Sequence, residues 1–197
     1  KAFLEGEVVS IALVASLLEA SGVGPLVTVD IHSDAALAFF QKATNVSSIP
    51  FLAAHAAKMG LRRPIAVSPD TGGAARAGEF ARILKCDTVA LKKSRDRTTG
   101  EVTIEQKIDA SVSGRDAVLV DDMISSGGSI ARAAEVLHKN GAGRIYAMCA
   151  HALLVGDAAQ KIAVAGVQDI IATNSVPGKY ARVDMSGALA EAVRLAF

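Results

Sequence analysis

Short runs of β-branched and aliphatic residues alternate with alanine-rich stretches along almost the whole chain, and this alternation constrains the fold more than any other feature. Strands separated by helices pair in parallel, because each helix carries the chain back to the edge of the sheet where the previous strand began. We therefore predict an α/β fold with a mostly parallel sheet flanked by helices. The predicted strands are Leu26–Ile31, Ile65–Ser68, Thr88–Leu91, Val102–Gln106, Ala117–Val120, Arg144–Cys149 and Asp169–Thr173. The predicted helices are Val8–Ala20, Ala35–Phe40, Ala53–Met59, Ala74–Leu84, Ser129–Lys139, Gly156–Val164 and Ser186–Leu195.

Composition excludes several classes of partner. The formal net charge is +1, so no bulk field favours nucleic acid or an anionic membrane surface. The apolar run Val8–Leu18 is too short to span a bilayer and is flanked by acids. Cys86 and Cys149 lie far apart without a metal-ligand spacing, as expected of buried thiols in a reducing compartment. We expect a cytoplasmic protein.

The start of the chain is poor in elements that could form a domain alone. Residues 1–45 offer a helix, a strand and a second helix, too little to bury their own apolar faces. A break near Lys42–Pro50 precedes a fuller α/β unit. We therefore predict that residues 1–45 are the remnant of a preceding domain and that residues 46–197 form a C-terminal domain.

Segment 118–129, with the sequence Val-Leu-Val-Asp-Asp-Met-Ile-Ser-Ser-Gly-Gly-Ser, carries the strongest functional pattern. An apolar strand delivers two carboxylates, and a loop of small residues then opens onto a helix. Backbone N–H groups of such a loop, aided by the helix N-terminus, can bind a phosphate, and the acids can accept hydrogen bonds from sugar hydroxyls. The alternative is a turn of helix-capping residues, but the complete order of strand, acids, loop and helix favours a binding site.

Two further strands end in polar residues, and ligands of open parallel sheets lie at the carboxyl ends of strands. In segment 65–74, Pro69 ends the strand, Asp70 follows, and Gly72 and Gly73 allow close backbone approach. In segment 27–34, His32 stands near the strand end. Each segment also has an ordinary structural interpretation. Asp70 could only cap the helix that follows it, and His32 could be a structural histidine.

Segment 91–101 concentrates positive charge between two predicted strands. Lys92, Lys93, Arg95 and Arg97 fall within six positions. An exposed hairpin tip is the ordinary interpretation, but a polar, glycine-containing connection can also act as a mobile lid that brings cations to a phosphate.

Together these segments resemble those of ribose-phosphate pyrophosphokinases, which make 5-phosphoribosyl 1-diphosphate (PRPP). Segment 118–129 is similar to the PRPP-binding signature that this family shares with type I phosphoribosyltransferases, so the resemblance implies a type I phosphoribosyltransferase fold. Ser-Pro-Asp-x-Gly-Gly at 68–73, Asp-x-His at 30–32 followed by Phe39-Phe40, and Lys-x-Arg at 93–95 resemble motifs of the synthetases alone.

The resemblance implies a role for each motif. Asp121 and Asp122 face the ribose 2- and 3-hydroxyls. The 5-phosphate is held by Ser125, Ser126, Gly127, Gly128 and Ser129. Lys93 stabilises the transition state, and Arg95 is both catalytic and a ligand of ribose 5-phosphate.

The implied reaction transfers the diphosphoryl group of ATP to the C1 hydroxyl of ribose 5-phosphate. On this resemblance His32 and Asp70 position Mg²⁺, the expected cofactor, at the ATP phosphates. The expected partners are ATP and ribose 5-phosphate, with no nucleic acid and no membrane, and the family implies a homo-oligomer, a dimer or larger.

The chain also departs from the family. Ser125 replaces an acid that bacterial and animal enzymes carry, and archaeal enzymes resemble the chain better there. The adenine-binding segment of the family would lie before Lys1, so we expect this chain alone to bind ribose 5-phosphate, to bind ATP poorly and to self-associate. The alternatives are a type I phosphoribosyltransferase that uses PRPP and a non-catalytic subunit associated with a PRPP synthetase.

Overall fold

The computed structural model describes residues 9–95, 102–104 and 112–197. In chain order its elements are α1 (Ser10–Ala20), β1 (Leu26–Val29), a 3-10 helix (Asp34–Phe39), β2 (Ala43–Val46), α2 (Ile49–Ala56), β3 (Ile65–Ser68), α3 (Ala74–Leu84), β4 (Asp87–Ala90), β5 (Lys93–Arg95), β6 (Val102–Ile104), β7 (Ala117–Ile124), α4 (Gly128–Lys139), β8 (Ile145–Ala152), α5 (Ala158–Val164), β9 (Val167–Thr173), β10 (Ala181–Val183) and α6 (Ser186–Ala196). Across those described ranges, no helix is both long and apolar enough to cross a bilayer.

The elements group into two compact units. One is drawn from Lys1–Ser47 and Met185–Phe197, and the other is Ser48–Asp184. The last helix therefore belongs with the first part of the chain, where α6 packs on β1 and β2. The predicted separation of a remnant domain from a C-terminal domain at residue 45 stays a prediction.

The larger unit is built on a six-stranded sheet with the order β10-β9-β8-β7-β3-β4, in which every neighbouring pair is parallel. Successive strand residues point to opposite faces, so each face supplies its own core. On one face, residues such as Ile65, Leu119 and Cys149 pack with residues of α4 and α5, including Leu137 and Ile162. On the other face, residues such as Ala66, Val118 and Met148 pack with residues of α2 and α3, including Leu52 and Phe80. The predicted α/β fold with a parallel sheet and flanking helices is confirmed.

Local sequence explains where α4 begins and ends. Ile130, Ala133, Ala134 and Leu137 recur at helical spacing and are buried, which gives the helix one apolar face. Gly141, just beyond the helix, has φ of +78°, the left-handed conformation that favours glycine after a helix end.

The smaller unit contains a two-stranded parallel sheet of β1 and β2. Asn45 joins the strands, since its side-chain oxygen accepts hydrogen bonds from the Thr28 hydroxyl and the Ile31 N–H, each at 3.0 Å. Segment 42–50, where the sequence predicts a break before a fuller α/β unit, includes the division between the two units, after Ser47. It contains β2 and the start of α2, where Pro50 lies at a first-turn position that needs no N–H donor. On α1, the apolar side chain of Leu17 is 59% exposed, as predicted for this helix.

Asp116 organises the amino ends of three neighbouring strands. Its carboxylate is buried and accepts hydrogen bonds from the Arg62 N–H at 2.6 Å, the Arg144 N–H at 3.1 Å and the Arg144 guanidinium at 2.5 Å. Burial alone would raise the pKa of Asp116, but these hydrogen bonds outweigh it and lower the pKa. Asp116 therefore stabilises the fold at neutral pH.

Changing Asp116 to Ala should lower the free energy of unfolding by about 3 kcal/mol, because Arg62 and Arg144 lose their shared acceptor. The lowered pKa means that this contribution is present above the ordinary pKa of aspartate and is lost as the pH falls through the folded value. Urea unfolding at neutral and acidic pH measures both effects. Asp157→Asn, which alters an exposed ion pair with Lys161, is the matched control and should cost about 0.5 kcal/mol or less. Equal stabilities of the two variants would contradict the assignment.

Candidate functional site

The topology of the large sheet defines a crevice between β3 and β7. After β3 the chain adds β4 on one side, and it then returns to add β7 on the other side of β3. In open α/β sheets, ligands bind at the carboxyl ends of the strands at such a switch point. The two strands that flank it are those that lead into the predicted motifs at 68–73 and 118–129.

Asp121 and Asp122 lie within β7, which continues to Ile124. The predicted strand end at Val120 was therefore four residues too early. Asp122 is 6% exposed, and its carboxylate accepts the Met123 N–H at 2.9 Å, while Asp121 accepts the Asp122 N–H at 3.0 Å. Local hydrogen bonds thus fix both carboxyl groups at the crevice.

The Asp121 carboxyl titrates near neutrality. Burial raises its pKa most, and a hydrogen bond with the Asp122 carboxyl and the charge of that group raise it further, whereas Arg76 opposes the shift. The pKa of Asp121 rises to about 7 as a result. Two acids this close share a proton, so the pair can both accept and donate hydrogen bonds. That capacity suits a pair of neighbouring hydroxyl groups.

The loop after β7 forms a cradle of backbone groups. A cavity of about 160 Å³ is lined by Asp121 together with the residues from Met123 to Ile130. Gly127 has φ of +74°, and a Cβ there would lie 3.0 Å from the Ala158 carbonyl oxygen, so only glycine fits. The residue at the N-cap of α4 is Gly127, which has no side chain to cap the helix. The predicted loop residues 125–129 and one of the predicted acids therefore line a single cavity suited to an anion.

Three cationic side chains beside the two acids and the loop 125–129 were not identified from the sequence. Arg76, on α3, lies 3.4 Å from both Asp121 and Asp122. The Arg132 guanidinium lies beside Gly128, where a Cβ would be 3.3 Å from its Nη1. Lys161 on α5 lies 3.4 Å from the Ser126 carbonyl oxygen. A signal existed only for Arg132, which lies one helical turn after the loop glycines.

Asp70 lies just beyond the carboxyl end of β3 and is half-buried. Its Oδ1 accepts the Gly73 N–H at 3.2 Å, and the Ser68 hydroxyl donates to its carbonyl oxygen at 2.6 Å. A Cβ at Gly73 would lie 2.6 Å from the Ser68 hydroxyl, so this turn requires glycine. Asp70 thus closes a hydrogen-bonded turn directly before α3, whose N-cap residue is Gly73.

His32 is exposed and follows β1 in the smaller unit. The metal hypothesis assumed that His32 and Asp70 end neighbouring strands, and this premise was wrong. β1 pairs with β2 in one sheet, whereas β3 lies between β7 and β4 in another. The sequence pattern could not show this, because it does not reveal which strands pair.

The donor chemistry of Asp70 fits a magnesium ion that takes few protein ligands. In the part of the chain that the structure describes, no group of three or more His, Cys, Asp or Glu side chains could hold a metal. A magnesium ion at nucleotide phosphates commonly takes one or two carboxylates, several waters and the phosphates themselves. Asp70 supplies a carboxylate of the kind that magnesium prefers.

Lys93 and Arg95 lie on β5, which pairs with β6 in an antiparallel hairpin. Lys93 is opposite Ile104, and Arg95 is opposite Val102. The sequence predicted the second of these strands and missed the first. The rest of the predicted lid, residues 96–101, lies outside the described residues.

Known proteins are similar to this chain over nearly its whole length. Residues 97–197 match the model of the phosphoribosyl synthetase-associated domain family. Ribose-phosphate pyrophosphokinase 2 of Archaeoglobus fulgidus is 41% identical over 192 residues, which are 97% of this chain and 68% of that protein. The ribose-phosphate pyrophosphokinase of Methanothermobacter thermautotrophicus is 37% identical over 193 residues, 98% of this chain and 66% of that protein.

Solved structures show the same relationship. The phosphoribosylpyrophosphate synthetase from Mycobacterium smegmatis superposes with a TM-score of 0.83 at 28% identity, over 96% of this chain and 64% of that one. An adenine phosphoribosyltransferase from Thermoanaerobacter pseudethanolicus, with a TM-score of 0.50 at 24% identity over 64% of this chain and 76% of that one, shares the fold.

The chain spans about two thirds of the length of the curated relatives it matches. The identity over nearly the whole chain and the TM-score of 0.83 agree with the predicted resemblance and with the predicted type I phosphoribosyltransferase fold. Both predictions are confirmed. The chain belongs to the ribose-phosphate pyrophosphokinase family of enzymes.

Proposed function

We propose that the protein transfers the diphosphoryl group of ATP to the C1 hydroxyl of ribose 5-phosphate and releases PRPP and AMP. One observation carries the proposal. Asp121 and the phosphate-type loop 125–129 line one cavity at the switch point of a chain that belongs to this enzyme family. A sugar phosphate needs both features, hydroxyl recognition and an anion cradle, at a fixed separation.

In the proposed complex, the 5-phosphate lies in the loop formed by Ser125, Ser126, Gly127, Gly128 and Ser129. Backbone N–H groups at the start of α4 donate to its oxygens, and the helix dipole favours its negative charge. Asp121 and Asp122 then accept hydrogen bonds from the ribose 2- and 3-hydroxyls. This arrangement orients the ribose and leaves C1 for the reaction.

The transfer itself requires positive charge at the phosphates of ATP. The C1 oxygen attacks the β-phosphorus, the bond to the α-phosphate oxygen breaks, and AMP leaves. Negative charge accumulates on the diphosphoryl oxygens during this step. We assign its stabilisation to Lys93 and the bidentate binding of phosphate to Arg95.

Magnesium is the cofactor of the proposed reaction. Asp70 would supply a carboxylate ligand, with waters and the ATP phosphates as other ligands, and the role of His32 as a ligand stays a prediction. Bound there, the ion would neutralise charge on the transferred phosphates. Homo-oligomerisation and a cytoplasmic location stay predictions.

The two alternatives predict different chemistry. A type I phosphoribosyltransferase would consume PRPP, and it shares the loop 125–129 but not the motif at 68–73. A non-catalytic subunit would bind ligands without turnover. Neither is favoured by the relatives, whose names are those of pyrophosphokinases at 32% to 41% identity.

Calorimetric titration of the chain with ribose 5-phosphate and with ATP tests the proposed binding site. The variant Gly127→Ala tests the role of the loop in that site. The variant should bind ribose 5-phosphate roughly tenfold or more weakly, because its Cβ forces the loop away from Ala158 and Ile162. Gly114→Ala is the matched control. Gly114 also has positive φ, at +66°, but its Cβ would meet nothing within 4 Å.

The expected result is binding of ribose 5-phosphate by the unaltered chain and by Gly114→Ala, with a loss specific to Gly127→Ala. ATP is titrated into all three proteins for comparison. Strong ATP binding without any ribose 5-phosphate signal would reverse the proposed placement of the two substrates.

A further inference from the structure

Arg76 occupies a position that helix energetics alone does not explain. It is the third residue of α3, where the positive end of the helix dipole disfavours a cation. Its side chain is 21% exposed, so it is also partly removed from water. A cation retained there requires a compensating anionic contact.

That contact is with both acids of β7. The Nη1 atom of Arg76 lies 3.4 Å from Asp121 Oδ1, and its Nη2 atom lies 3.4 Å from Asp122 Oδ2. One planar guanidinium therefore spans two carboxyl groups that belong to neighbouring residues. α3 follows β3, so the guanidinium reaches across the β3–β7 crevice from one flanking strand connection to the other.

The turn before α3 leaves room for this side chain. A Cβ at Gly73 would lie 3.4 Å from Arg76 Nη1 and 2.6 Å from the Ser68 hydroxyl. The glycine that ends the motif at 68–73 thus permits both the turn and the approach of Arg76 to the acids.

We propose that Arg76 is a positioning residue that holds Asp121 and Asp122 in the orientation in which they accept hydrogen bonds from the ribose hydroxyls. This inference rests on the proposed function. Arg76 acts through the two carboxylates, and the phosphate cradle at 125–129 does not require it.

The groups that face Asp121 make this role sensitive to pH. Asp122 on the same strand raises its pKa, and Arg76 is the cation that opposes the shift. Cys149, paired with Asp121 on β8, is buried with its pKa raised to about 12 and stays neutral. Neither β3 nor the first turn of α4 carries an ionisable side chain. Without Arg76, the pKa of Asp121 should therefore rise further.

The test uses Arg76→Gln, Arg76→Lys and the control Arg82→Gln in the protein at its natural length. Arg82 is an exposed cation on the last turn of the same helix. Affinities for ribose 5-phosphate and for inorganic phosphate are measured by calorimetry from pH 6 to pH 9. Thermal unfolding confirms that each variant is folded.

For Arg76→Gln we expect a roughly tenfold loss of ribose 5-phosphate affinity at neutral pH, because the carboxylates lose a charged hydrogen-bond donor. The loss should shrink as the pH rises, since Asp121 then ionises without help. Inorganic phosphate should bind as it does to the unaltered protein. Arg76→Lys should recover part of the affinity, and Arg82→Gln should change nothing.

Two outcomes would overturn the inference. One is unchanged ribose 5-phosphate affinity in Arg76→Gln at every pH. The other is an equal, pH-independent loss for both ligands, which would make Arg76 a structural residue only. If the unaltered protein itself fails to bind ribose 5-phosphate, the proposed function fails instead, so the two failures are distinguishable.

Discussion

Changing Lys93 to Ala should lower kcat by roughly a hundredfold or more, the loss typical of removing one charged group that stabilises a transition state. The KM for ribose 5-phosphate should change little, because the proposed cradle for that substrate lies on β7 and α4. Steady-state assays of PRPP formation by the protein at its natural length measure both constants.

Lys92→Ala is the matched control, since Lys92 is an exposed lysine that directly precedes β5. Its kcat should stay within a few-fold of the unaltered enzyme. If Lys93→Ala kept near-normal turnover, the catalytic assignment of Lys93 would be wrong.

Changing Asp121 to Ala should weaken ribose 5-phosphate binding by roughly thirtyfold, because a hydroxyl of the sugar loses a charged acceptor. Inorganic phosphate should bind with unchanged affinity, since its cradle is the loop after β7. Calorimetric titration with both ligands separates the two contributions. Glu79→Ala, which removes an exposed acid from α3, is the control. Equal losses for both ligands would show that the substitution had disturbed the loop itself.

The same substitution should change the pH dependence of stability. The pKa of Asp121 is about 7 in the folded protein against an ordinary value of 3.8, so between these values the folded state binds more protons than the unfolded state. Stability from this group therefore falls as the pH rises through that window. The Asp121→Ala variant lacks this decrease. Its free energy of unfolding, measured with urea, should therefore differ less between pH 5 and pH 8 than that of the unaltered protein.

The elements with strong local signals could be predicted from the sequence. β3 and α3 have the predicted bounds, because an apolar run, Pro69 and two glycines mark the transition between them. The prediction ended β7 too early because aspartate is disfavoured in strands. The sequence does not show that Arg76 offsets the burial of Asp122 within the strand.

Elements that depend on distant partners could not be predicted. β2 is short and polar, and its pairing with β1 depends on Asn45, a residue type usually depleted in strands. α6 itself has nearly its predicted bounds, but its packing on β1 and β2, more than 130 residues earlier in the chain, could not be predicted.

The candidate site likewise contains residues that the sequence could predict and contacts that it could not. The loop 125–129 and the two acids are contiguous in sequence, so one motif predicts them together. The contact between Arg76 and Asp121 joins residues 45 positions apart and leaves no local pattern. The proposed magnesium ligands belong to different sheets, and the sequence could not show that β1 and β3 are not neighbours.

The most direct test of the proposed function follows labelled phosphorus from ATP. The protein at its natural length is incubated with magnesium, ribose 5-phosphate and ATP labelled at the β-phosphorus. The account predicts that the label appears in PRPP and that unlabelled AMP forms in equal amount. Label retained in ADP would contradict diphosphoryl transfer as the function of this chain. So would a protein that forms no PRPP here but consumes PRPP when it is supplied with a nucleobase.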